Sequence, residues 1–126
     1  MGANNLQEAW ALSVGQVFCA FSFAPNGASA VAQTSIHGEG IASVTRTGVG
    51  VFDIVLRSPW NQFQGYVPSI QLGTDADITI SSWNYVAATK TLTIRTRTAG
   101  AAAEVAANAA NRLGGLLCLK NSSVGK

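Results

Sequence analysis

Short runs in which apolar and polar residues alternate one for one, cut at close intervals by Gly, Pro and Asn, constrain this chain more than any other feature. Val51-Phe52-Asp53-Ile54-Val55-Leu56 sets Phe52, Ile54 and Leu56 on one side and Asp53 and Arg57 on the other, the period of two that a strand with one buried face requires. Thr91 to Thr98 repeats the pattern, with Leu92 and Ile94 inward against Thr93, Arg95 and Arg97. Ile78 and Ile80 alternate with Asp77, Thr79 and Ser81, and Trp83 and Tyr85 carry on the two-residue spacing. Further strands are predicted over 17–23, 36–39, 41–47 and 67–72. Pro25-Asn26-Gly27 ends the first, and Gly48-Val49-Gly50 supplies the positive φ angles of a hairpin turn. Leu113 to Lys120 is so apolar that it predicts a closing strand central in its sheet or covered. Many short strands in one 126-residue chain predict an all-β protein, a jelly-roll-like or Greek-key β-sandwich. The expected organisation is a single domain over 14–126 behind an N-terminal arm, 1–13.

Three stretches depart from the alternation. Gln7-Glu8-Ala9-Trp10-Ala11-Leu12 contains helix formers but is too short for a stable free helix, so the arm is expected to pack on something else. Trp10 has the most area to bury, on a partner or as a staple onto the domain's own core. Ser58-Pro59-Trp60-Asn61-Gln62-Phe63-Gln64-Gly65 reads as a loop rich in aromatics and amides. Ala99 to Asn111 has the alanine content of a helix yet almost no large apolar residue; a helix and a partner-ordered loop both fit.

Only 11% of the residues are charged, less than half the roughly 25% of ordinary soluble domains. Charge keeps a monomer soluble and apart from its copies, so a surface this neutral predicts a homo-oligomer, dimer or trimer, or a protein partner. The net charge is +2, and the basic residues stand singly from Arg46 to Lys126, without the basic stripe of a direct nucleic-acid binder. No apolar run approaches the ~20 residues of a membrane-spanning helix. Met1-Gly2-Ala3-Asn4-Asn5-Leu6 has no basic stretch of a secretory signal, so the expected place of assembly is the cytoplasm.

Groups for catalysis do not converge along the sequence. Pairing His37, the one histidine, with Cys19 or Cys118 would make a nucleophilic dyad. Both cysteines, however, sit in apolar runs, Val17-Phe18-Cys19-Ala20-Phe21 and Leu116-Leu117-Cys118-Leu119, as buried thiols do. A disulfide joining the first and last strands stays open. Gly27-Ala28-Ser29-Ala30-Val31 lacks the second glycine of a nucleophile elbow, and there is no phosphate-binding loop. Asp75 and Asp77 fall far short of the oxygen ligands a calcium ion takes. The expectation is a protein that is not an enzyme, with no catalytic, cofactor or metal residues. Arg95 and Arg97 are the polar feature that stands out. They lie about 6.6 Å apart on one strand face at ~3.3 Å per residue, a pair able to grip carboxylates or phosphates or to stand as an ordinary solvated face.

Two segments, Arg46-Thr47-Gly48-Val49-Gly50-Val51-Phe52-Asp53-Ile54-Val55-Leu56 and Thr91-Leu92-Thr93-Ile94-Arg95-Thr96-Arg97-Thr98-Ala99-Gly100-Ala101-Ala102-Ala103, resemble parts of small β-sandwich proteins of tailed bacteriophages. In both, an Ala/Asn loop leads into an apolar last strand such as Leu113 to Leu119. The likeness spans residues 46–120. It implies a capsid cement (decoration) protein, an oligomeric, non-enzymatic domain that binds the major capsid protein of an assembled shell and reinforces it at the virion surface. Related sandwiches occur in tail and fibre proteins, where the implied role is receptor or glycan binding, here with Trp60, Phe63 and Tyr66 as a stacking platform. The candidate interface residues are Trp10, Arg95, Arg97, Trp60 and Phe63.

Overall fold

The computed structural model describes residues 16–58, 62–74, 76–108 and 110–120; the arm with Trp10, and Trp60 in the aromatic loop, lie outside them. The described chain forms eight strands: β1 (Gln16–Phe23), β2 (Ile41–Gly48), β3 (Val51–Leu56), β4 (Gln62–Gln71), β5 (Thr79–Val86), β6 (Thr91–Thr98), β7 (Ala101–Ala102) and β8 (Arg112–Lys120). They build an all-β sandwich of two antiparallel sheets, a smaller one in the order β1-β8-β4 and a larger one in the order β2-β3-β6-β5, with β7 paired to the end of β6.

The alternation that predicts the strands also fills the space between the sheets. Phe21 and Phe23 of β1, Tyr66 of β4 and Leu113, Leu117 and Leu119 of β8 face Val44, Phe52, Ile54, Leu56, Leu92 and Ile94, all buried. The Phe23 and Phe52 rings meet with centroids 5.2 Å apart. Each fully buried side chain of this size contributes about 1.5–3 kcal/mol.

The apolar last strand is central: β8 pairs with β1 on one side and β4 on the other. That close approach needs two glycines. A Cβ on Gly114 would strike the Phe21 carbonyl oxygen, and one on Gly115, at φ +150°, would strike the Val67 carbonyl oxygen.

Several boundaries differ from the sequence reading, each for a local reason. Residues 36–39 form no strand; after a 3-10 turn at Gln33–Ser35, His37 makes a single bridge to Ser22, and the chain crosses to the larger sheet. β4 begins at Gln62, inside the expected loop, with a register break between Phe63 and Gly65, because pairing with β8 overrides the weak strand propensity of the amides. In β5 a break between Ile80 and Ser82 sets Ile80, Trp83 and Tyr85 opposite Thr96, Ile94 and Leu92. Unbroken alternation from Ile80 would turn both aromatics the other way. Ala99 to Asn111 is no helix: positive φ at Ala99 and Gly100 turns the chain back through β7.

Cys19 and Cys118 lie on neighbouring strands, but Cys19 is matched to Leu117 and Cys118 to Phe18. Residues one step out of register point to opposite faces. Cys19 turns inward and Cys118 outward, both are free thiols, and the disulfide left open by the sequence does not form. Dithiothreitol should accordingly leave the urea midpoint unchanged. Gly115→Ala should lower stability by about 3 kcal/mol, the upper part of the overpacking range, read as a lower urea midpoint at unchanged slope.

Candidate functional site

The two open sides of the sandwich are finished differently. Where β4 and β5 meet, aromatic pairs close the gap: Phe63 stacks on Tyr85 at 6.0 Å and Tyr66 meets Trp83 edge-on at 5.2 Å. The Tyr66 hydroxyl donates to the Gly114 carbonyl, and burial pushes its phenol well above the usual range. Phe63 and Tyr66 thus form an inward seam between the sheets.

Between β1 and the residues that precede β2 and follow β3 the sandwich stays open. A cleft of about 370 Å³ lies there, with Cys19, Leu56 and Leu119 in its wall and Glu39 and Arg57 beside them. Arg57 Nε donates to the Glu39 carbonyl at 2.7 Å. Burial pushes the Cys19 thiol up, which keeps it protonated and a poor nucleophile. Among the described residues no group of three His, Cys, Asp or Glu side chains comes together.

The outer faces contrast as sharply. On the larger sheet the outward positions are Thr45, Asp53, Thr93 and Asn84 in one row, with Arg95 and Arg97 further along β6. Asp53 Oδ1 accepts a hydrogen bond from Thr93 Oγ1 at 2.7 Å, and Arg97 Nη1 donates to the Gly100 carbonyl at 3.2 Å. The sequence spacing places these two arginines on one face, and they share it in the fold, both half-buried. On the smaller sheet the outward row is Phe18, Ala20, Val67, Leu116 and Cys118. Val67 is 61% exposed and Phe18 38%. No charged residue interrupts this face between Arg112 and Lys120. Sequence reasoning missed this surface, because the strands that flank β8 and bring Phe18 and Val67 beside it are set by tertiary pairing.

A polar latch holds the alanine-rich segment to the sandwich. Glu104 takes hydrogen bonds from the Arg46 guanidinium through both carboxylate oxygens and from the Gly50 amide at 3.2 Å. Thr96, fully buried, donates its hydroxyl to the Ala103 carbonyl at 2.7 Å. Gly50, at φ +64°, leaves no room for a Cβ, which would lie 2.6 Å from the carbonyl oxygens of Thr96 and Ala103. Val105, the one large apolar residue of the segment, is buried, and its carbonyl accepts the Gly27 amide. The Arg46 guanidinium holds the Glu104 carboxyl below its ordinary value.

Compared with protein-family models, curated proteins and solved structures, the chain matches none.

Because the folded Glu104 carboxyl has the lower pKa, its stabilisation is present in full above the ordinary value of 4.5 and is lost as the pH falls through the folded value. Melting temperatures across the acid range should therefore fall more steeply below pH 4.5 for the native chain than for Glu104→Gln, with the two curves converging at the acid end.

Proposed function

We propose that this chain is a structural, non-enzymatic protein that binds an assembled phage shell and reinforces it as a cement. The observation that carries the reading is the uncharged outer face of the smaller sheet. A monomer that exposes a contiguous apolar face of this kind gains by covering it with another protein, and the low charge of the whole surface points the same way. The outer face of the larger sheet, with Arg95 and Arg97, suits steering toward an acidic shell surface. The alternative, a tail or fibre module that stacks glycans, has less support, since Phe63 and Tyr66 pack inward and Trp60 alone remains of its platform.

Reinforcement follows from mass action. A protein that binds only the intact lattice stabilises it by RT ln(1 + [L]/Kd), about 2.7 kcal/mol per site at a hundredfold excess over Kd. Repeated over many sites, modest contacts resist pressure from within.

The test is co-sedimentation of the purified chain with empty phage heads, beside host cell envelopes, followed by heating of the heads with and without the chain. Binding to heads, and heads that withstand more heat when the chain is present, are expected. Val67→Lys should weaken binding at least tenfold, about 1.4 kcal/mol, the low end of what a buried valine contributes. Arg95→Ala with Arg97→Ala should slow association and flatten its salt dependence. Heads that survive equally well without the chain, or binding to envelopes alone, would overturn the proposal.

A further inference from the structure

The core between the sheets is not closed evenly along β1. The inward row of this strand runs from Phe23 through Phe21 and Cys19 to Val17, near its start. Phe23 and Phe21 are buried, at 0% and 5% exposure, whereas Cys19 and Val17 are only half-buried. The cleft of about 370 Å³ lies against these two. Leu56 and Leu119, both fully buried, line it as well, and Gly40 stands so close that a Cβ there would lie 2.9 Å from the Cys19 sulfur. A largely apolar cleft at the small end of the roughly 300–1,000 Å³ range of binding pockets has room for one large side chain.

The chain's own beginning enters beside this opening. β1 starts at Gln16, one residue before Val17, and fifteen residues precede it. Trp10 is the largest apolar residue among them and lies six positions before Gln16. Six residues span at most about 20 Å, and the β1 wall of the cleft, Val17 to Ala20, is about 10 Å long at ~3.3 Å per residue. Gly15 allows the chain to reverse at that point. The exposed rim suits an indole. Arg57 is fixed there by its Nε bond to the Glu39 carbonyl, and among the described residues no carboxylate pairs with its guanidinium. A cation so placed is attracted to the face of a tryptophan ring, and an indole N–H needs an acceptor, which the neighbouring Glu39 supplies.

We propose that Trp10 of the same chain seats in this cleft and completes the core at the Gln16 end of β1. Its ring covers Val17, Cys19, Leu56 and Leu119, and its polar edge stays at the rim with Arg57 and Glu39. The occupant is the chain's own arm because a short tether holds it at an effective concentration in the millimolar range, which a neighbouring copy or a free partner does not match. The seat needs side-chain contact alone, so it leaves the bridge between Ser22 and His37 in place. It uses neither outer face and stands independently of shell binding.

The two native thiols report on the two apolar places where the arm could lie, Cys19 in the cleft and Cys118 on the outer face of the smaller sheet. Alkylation of the full chain, read by peptide mass spectrometry, should show Cys19 reacting at least tenfold more slowly than in Trp10→Ala, with Cys118 reacting alike in both. Trp10→Phe, which keeps a ring, should retain most of the protection, and the protection should be the same at nanomolar and at high micromolar concentration. Equal Cys19 rates in the native chain and in Trp10→Ala would overturn the proposal. So would a Trp10→Ala chain in which Cys118 speeds up instead, which would lay the arm on the outer face. Protection lost on dilution would give the cleft to the arm of another copy and would overturn it too. If Trp10→Ala does not fold, Leu12→Cys decides. Leu12 is two residues from Trp10, on the same side of an extended segment. On oxidation the introduced thiol should join Cys19 within one chain; a link to Cys118, to a second chain or to neither would overturn the proposal.

Discussion

The smaller sheet exists because β8 is hydrogen-bonded on both sides at once. β1 and β4 do not pair with each other, so both enter the smaller sheet through the strand between them. Inward, Leu113, Leu117 and Leu119 supply its share of the core. At one end Arg112 reaches across β1 to the Ser22 hydroxyl, at 3.0 Å, and to the Ser35 carbonyl, tying the crossing loop to the same strand. The paired glycines let both neighbours come close, and the space a side chain would take is occupied by backbone instead.

This arrangement divides the molecule's surface by chemistry. The larger sheet turns threonine, asparagine, aspartate and arginine to the outside, where short polar groups bond to one another and to water. The smaller sheet turns Phe18, Ala20, Val67, Leu116 and Cys118 outward along its middle and keeps its outward polar residues, Ser22, Ser69 and Gln71, toward the Arg112 end. Its outer face is thus set by the same residues that make β8 a good central strand. A domain built this way is a competent fold with an incomplete surface, which is a natural design for a part of a larger assembly.

The strands that obey simple alternation were legible in advance. β3 and β6 match their expected bounds, and Phe52, Ile54, Leu92 and Ile94 are buried where the pattern places them. The β-sandwich follows from the same pattern. The misreadings sit where tertiary pairing overrides local signals. Gln62 and Phe63 join β4 because β8 offers them backbone partners, and the break after Ile80 reverses the phase of Trp83 and Tyr85 without any Gly or Pro to announce it. The alanine-rich segment was ambiguous for a sound reason: its anchor is a single valine, and its other ties run through Glu104 to Arg46, far away in the chain. For the surface, Arg95 and Arg97 were readable from spacing alone. The apolar face was not, because it takes knowledge of the partners Phe18 and Val67 to see that β8's second side is part of a wider patch.

The order of the strands also has a consequence in time. β2 with β3 and β5 with β6 are joined by short turns and can pair as soon as each second strand leaves the ribosome. β1 must wait, because Phe23 meets Leu113 and Gln16 meets Lys120, and closing a loop of about 90 residues is slow and entropically costly. Until β8 is made, a strand carrying Phe18, Phe21 and Phe23 therefore remains without its mate while neighbouring chains on the same message are at the same stage. The arrival of β8 both completes the domain and ends the period in which its first strand is open to the wrong company.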